Sequence, residues 1–89
     1  MNGKHIKVYG RVQGVGFRFF TAQLAKKYNI VGSVENVNDY VEVYASGKTD
    51  DLESFTKGII EGVAPASQVD DYNIEDVTLD ENTKHFKTL

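Results

Sequence analysis

The chain has 89 residues, 40% apolar and 26% charged, with a net charge of −3 and no cysteine. That size suits one small domain with one core, and the missing cysteine excludes disulfides, thiolate metal sites and a thiol nucleophile. No stretch approaches the ~20 apolar residues that span a bilayer, and Met1–Lys7 lacks the apolar run of a signal peptide, so a soluble cytoplasmic protein with no membrane partner is expected.

Residues 5–9 predict a strand, Ile6 and Val8 alternating with His5, Lys7 and Tyr9. Gly10 to Gly16 reads as loop. Phe17, Phe20, Leu24, Ala25 and Tyr28 then fall at offsets 0, 3, 7, 8 and 11, one apolar face of a helix. Lys26 and Lys27 lie in its last turn, where the helix dipole favours cations, and Asn29 with the β-branched pair Ile30-Val31 ends it. Residues 30–36 alternate as a second strand, with Ile30, Gly32, Val34 and Asn36 on one face and Val31, Ser33 and Glu35 on the other. Val37-Asn38-Asp39-Tyr40 is a turn signal, and Val41, Val43 and Ala45 mark a third strand paired with the second as a hairpin.

A second helix is expected to begin near Asp50, which with Glu53 has the spacing of a capping box. Its stripe, Leu52, Phe55, Ile59, Ile60 and Val63, repeats the offsets of the first. Gly58 inside it costs about 1 kcal/mol relative to alanine, Gly62 suits a C-cap, and Pro65 blocks continuation. A fourth strand is predicted over Val69–Thr78 and a short closing strand over Lys84–Lys87. The fold class is therefore α/β in the broad sense, an α+β sandwich. Its order is the ferredoxin-like βαββαβ, an antiparallel sheet of four to five strands with both helices on one face.

The segment Gln13-Gly14-Val15-Gly16-Phe17-Arg18 joins strand to helix. Two glycines permit a backbone curl whose N–H groups point inward, and an arginine stands at the helix mouth, the layout of an anion cradle. A plain tight turn remains the other reading of such a loop. Helix and strand lengths bring a second residue to it. The helix carries the chain away about 16 Å, 11 residues at ~1.5 Å each, and the following strand returns a similar distance at ~3.3 Å per residue. Asn36, on the face of Val34, should therefore meet Arg18 at one end of the domain. A guanidinium can grip two oxygens with charge-assisted bonds of roughly 1.5–3 kcal/mol each, and a carboxamide can orient a water. No carboxylate, histidine or cysteine lies in the loop, so neither a covalent nor a metal mechanism is expected there.

Charge is uneven. Residues 1–34 hold Lys4, Lys7, Arg11, Arg18, Lys26 and Lys27 and no acid, giving +6, whereas residues 35–89 carry −9. This reads either as a positive field around an anion site or as chance plus lysines at helix ends. Gly47-Lys48-Thr49 is not a Walker A tail, because Glu42 stands where that motif needs glycine, and Phe19 replaces the third glycine of a dinucleotide fingerprint. His5 and His85 are isolated. Tyr9, Tyr28, Tyr44 and Tyr72 read as packing, and the Asp70-Asp71 and Glu75-Asp76 pairs as a solvated rim. A ferredoxin-like RNA-binding domain would need a basic surface as well as aromatics on the open sheet, and the acidic second half opposes any nucleic-acid partner.

Gly10-Arg11-Val12-Gln13-Gly14-Val15-Gly16-Phe17-Arg18 resembles the signature of the acylphosphatases. So does Gly32-Ser33-Val34-Glu35-Asn36, and weaker matches at Val41-Glu42-Val43, Gly47 and Gly62…Pro65…Val69 make residues 1–89 look like a single acylphosphatase-like domain. The resemblance implies hydrolysis of small acyl phosphates to a carboxylate and phosphate without metal or cofactor; a monomer is the simplest expectation for the oligomeric state. It implies that Gln13, Gly14, Val15, Gly16, Phe17 and Arg18 hold the phosphoryl group and that Arg18 and Asn36 are catalytic, Asn36 positioning the attacking water. A non-catalytic phosphate- or anion-binding regulatory module is the alternative. Three positions depart from the family: Ser33, Glu35 and Tyr40 stand where tryptophan, a basic residue and glycine are common, and none replaces a catalytic group.

Overall fold

A computed structural model describes residues 1–89, and its elements follow the hydrophobic periods of the chain. Strand β1 spans Asn2–Arg11, helix α1 Phe17–Lys27, β2 Val31–Val37, β3 Tyr40–Ser46, α2 Thr49–Ile60, β4 Gln68–Thr78 and β5 Phe86–Thr88. The five strands lie in the order β4-β1-β3-β2-β5. This is the ferredoxin-like α+β fold. Helix α1 packs over β2 and β5 and α2 over β1, and the helices touch one another. The core between the layers is built from Ile6 and Val8 of β1, Val34 of β2, Val41 and Val43 of β3, Phe17 and Ala25 of α1, and Leu52, Phe55 and Ile59 of α2. Alternation delivers these strand residues to one side and leaves His5, Lys7 and Tyr9 on the open side. Neither helix is long and apolar enough to cross a membrane.

Several local expectations are corrected. The first strand runs well beyond residues 5–9, because it pairs with β4 from Asn2↔Thr78 to Arg11↔Gln68, with a bulge between Tyr9 and Gly10. Paired backbone, not side-chain alternation, makes Asn2 and Gly3 strand. The sheet is mixed: β5 runs parallel to β2, Gly32 opposite Phe86, since the connection from β4 carries the chain to the far edge before it turns back. The capping box does not form. Helix α2 starts at Thr49 with Lys48 as N-cap and no side-chain cap bond, so Asp50 and Asp51 lie in its first turn and act on the dipole instead. Gly58 sits where a Cβ would stand 2.7 Å from Leu24 Cδ2, so its helix-propensity cost accompanies close approach of α1 and α2. Tyr72 is half exposed, not packed, on an outer strand of the sheet that pairs with β1 alone.

Candidate active site

The loop between β1 and α1 is held at both sides. Val12 is fully buried in the core, and the Gln13 side chain donates from Nε2 to the backbone oxygens of Asn38 (3.0 Å) and Tyr40 (2.9 Å) on the β2–β3 hairpin. Between these anchors and the helix the chain passes through positive φ twice, 73° at Gly14 and 78° at Gly16. L-residues pay for that conformation through their Cβ, which glycine lacks. Gly16 is also the N-cap of α1, with no side-chain cap bond and no acid in the first turn. The first ladder bond is Phe20 N–H to the Gly16 oxygen at 3.0 Å, so the amides of Phe17, Arg18 and Phe19 stand outside the helical ladder. A helix mouth of this kind offers donors and the positive end of a dipole to an anion.

The cleft at this mouth has a volume of about 370 Å³. Gly14, Gly16 and Arg18 line it from the loop and helix start, Asn36 from β2, Thr88 from β5, and Phe19 and Ala22 from the exposed side of α1. Asn36 reaches it by strand register. It pairs with Val41, which is fully buried under the helices, and residues directly opposite in an antiparallel pair share a face. Glu35 pairs with Glu42 on the other face, pointing away from the cleft. The Arg18 guanidinium donates from Nη1 to the backbone oxygen of Leu89 at 2.9 Å, while the Leu89 N–H donates to the Val34 oxygen at 2.9 Å. Arg18 is thus tied through the chain after β5 to the strand that carries Asn36. One of its five donors is engaged by this bond, and the rest remain for a ligand.

The structure brings Gly14, Gly16, Phe17, Arg18 and Asn36 to one cleft, as the helix and strand lengths indicated for Arg18 and Asn36. It does not bring Gln13 or Val15 into the lining. Gln13 acts through its side-chain bonds to the hairpin, and Val15 packs against the core. Sequence reasoning missed Phe19, Ala22 and Thr88. Phe19 falls off the apolar stripe of α1, and that departure was the available signal. The positive first half does not converge on the cleft either. Arg18 is the single cation in its lining, Lys4 pairs with Asp76, Lys7 lies over the Tyr40 ring, and Lys26 and Lys27 cap the far end of α1.

Other surfaces are worse suited to an anion. A hollow of about 420 Å³ at the opposite end is lined by Lys4, Glu53 and Asp76, and its lysine is already paired. On the open sheet face His5 Nε2 lies 2.8 Å from Glu42 Oε2, and its ring stacks on Tyr44 with centroids 4.3 Å apart. Tyr9 and Tyr40 pack there too, 5.2 Å apart. No three His, Asp or Glu side chains gather anywhere in a cluster that could ligate a metal.

With ferredoxin-like topology and an arginine-bearing loop at a helix mouth, the chain has the features of a small α+β enzyme domain, and comparison with known proteins identifies which. Residues 4–88 match the family model described as Acylphosphatase. A relative named Acylphosphatase from Staphylococcus haemolyticus is 53% identical over 89 residues, covering 100% of both chains. The crystal structure of acylphosphatase from Bacillus subtilis superposes with a TM-score of 0.91 at 37% identity, covering 100% of this chain and 99% of that one. Full-length HypF in its phosphate- and nucleotide-bound form matches with a TM-score of 0.90 at 33% identity, over 99% of this chain and 12% of that one. The chain belongs to the acylphosphatase family. It is an enzyme, and the reaction that family and fold support is the hydrolysis of acyl phosphates.

Proposed function

We propose that the chain hydrolyses the carboxyl–phosphate bond of small acyl phosphates at the cleft between the 13–18 loop and Asn36, acting as a monomer in the cytoplasm without metal or cofactor. The observation that carries this reading is the shared lining: loop glycines, Arg18 and Asn36 face one space of about 370 Å³. Loop amides and the Arg18 guanidinium hold the phosphoryl oxygens. The charge that spreads over those oxygens during phosphoryl transfer meets fixed donors that need no reorganisation. Asn36 orients a water with its carboxamide for in-line attack at phosphorus. The water oxygen forms the new P–O bond, and the bond from phosphorus to the acyl oxygen breaks. The carboxylate leaves with the electron pair, and the proton of the water goes to a phosphoryl oxygen. No side chain has to act as general base, in keeping with a lining that holds no carboxylate or histidine. Positioning and charge stabilisation then supply the rate.

Benzoyl phosphate, followed by loss of its absorbance, tests this reading. Arg18→Lys replaces a planar fork with a point charge and is expected to lower kcat/KM at least about a hundredfold. Asn36→Ala is expected to bind inorganic phosphate normally while kcat collapses. Chelator is expected to leave the rate unchanged. An Arg18→Lys protein with the rate of the unaltered chain removes Arg18 from the mechanism, and saturable phosphate binding with no turnover by the unaltered chain makes this a binding module instead.

A further inference from the structure

Phe19 follows Arg18 on α1, and its ring is 60% exposed, the most exposed of the large hydrophobic side chains. It also lines the cleft that holds Arg18 and Asn36. Its ring and that of Phe20 stand in a T-shaped pair, with a centroid distance of 5.2 Å and an interplanar angle of 85°. Phe20 is partly buried against the core, so it serves as a fixed post for the Phe19 ring. Ala22, three residues on, shares the helix face of Phe19 and lines the same cleft with a single methyl group. The two give the cleft that holds Arg18 and Asn36 an apolar side made of an aromatic ring and a small methyl group. Apart from Arg18 no charged side chain lines the cleft. An acyl group carrying its own carboxylate or ammonium therefore finds no fixed counter-charge, while a neutral apolar one finds an aromatic surface.

We propose that Phe19, with Ala22, is the acyl-side platform of this site and selects acyl phosphates whose acyl group is apolar, aromatic ones above all. This rests on the hydrolase reading above and adds the substrate class to it. The ring packs against the acyl group in stacked or edge-on geometry, of the kind that gives aromatic pairs affinity beyond their buried area. The platform binds the part of the substrate that does not react, so its loss appears in KM for an aromatic substrate before it appears in kcat.

The test compares kcat/KM for benzoyl phosphate and acetyl phosphate, read as phosphate release, in the unaltered chain and in Phe19→Ala, Phe19→Gln and Phe19→Tyr. The unaltered chain is expected to favour benzoyl phosphate about tenfold. Phe19→Ala and Phe19→Gln are expected to reduce that preference about tenfold, mainly through KM, and Phe19→Tyr to keep it within about twofold. Alanine and glutamine are better helix formers than phenylalanine, and the position is exposed, so both variants should fold. Equal losses on the two substrates, or an unmoved preference, overturn the platform while leaving the hydrolase reading intact. An unaltered chain that turns over neither substrate overturns the hydrolase reading and the platform with it.

Discussion

Gln13 shows how a residue can serve a site without touching it. Its backbone belongs to the loop, but its carboxamide reaches the hairpin and donates to two backbone oxygens at 3.0 and 2.9 Å. Those bonds join the element that curls at Gly14 and Gly16 to the strand pair that presents Asn36. Each neutral bond contributes about 0.5–1.5 kcal/mol. Gln13→Leu removes both and leaves two hairpin oxygens to water. The expected result is a loss of about 1–2 kcal/mol in urea unfolding together with a lower kcat, because loop and Asn36 lose their fixed relation. A variant with normal kcat at reduced stability would make Gln13 a structural tie only. Gly14 presents the complementary case. Nothing lies within 4 Å of the place a Cβ would occupy, so its constraint is the φ of 73° alone. Gly14→Ala should cost about 1–2 kcal/mol through the left-handed backbone, seen as a lower urea midpoint. A midpoint equal to that of the unaltered chain would show that the loop relaxes to another curl.

At the scale of elements, α1 carries an uncompensated polar group. Its buried face is Phe17, Thr21 and Ala25, and the Thr21 hydroxyl, fully buried, has no hydrogen-bond partner. Valine keeps the shape and nearly the same helix propensity while removing the desolvated oxygen. Thr21→Val is expected to raise stability by about 1 kcal/mol, measured as a higher urea midpoint, and a lower one would mean that the hydroxyl finds a partner in solution. Both helices were legible in the sequence because an apolar stripe spanning 12 residues at period 3.6 records burial on one face directly. The onset of α2 was less legible. Asp50 and Glu53 fit a capping box, yet the chain enters the helix earlier, at Thr49, and the Leu52 N–H bonds to the Lys48 oxygen at 2.8 Å. Strand β5 was visible only as a short apolar signal around Phe86. Its parallel pairing with β2 depends on where a connection lands 54 residues along the chain from its partner, which no local pattern encodes.

Across the whole molecule, the meeting of Arg18 and Asn36 was readable because helix and strand lengths nearly cancel, whereas the apolar wall beside them was not. Phe19 becomes part of a cleft only when β5 and the chain after it close the opposite side, with Thr88 in the lining and Leu89 bonded to Arg18. The open sheet face, by contrast, follows from alternation and sets His5, Glu42 and Tyr44 side by side. Tyr44 lies opposite both Ser33 and His5, stacks on the His5 ring, and has Glu42 two residues before it. Partial burial, and after it the Glu42 carboxylate, raise its pKa above the ordinary value of 10.0. The phenol is the neutral form, so the fold holds the proton more tightly than the unfolded chain does. That contribution is fully present below about pH 10 and is lost as pH rises through the folded-state value, because the unfolded chain deprotonates first. Urea midpoints measured at pH 8 and pH 11 should therefore fall more steeply for the unaltered chain than for Tyr44→Phe, which has no proton to lose at that position. Parallel declines would free Tyr44 of any part in the alkaline sensitivity.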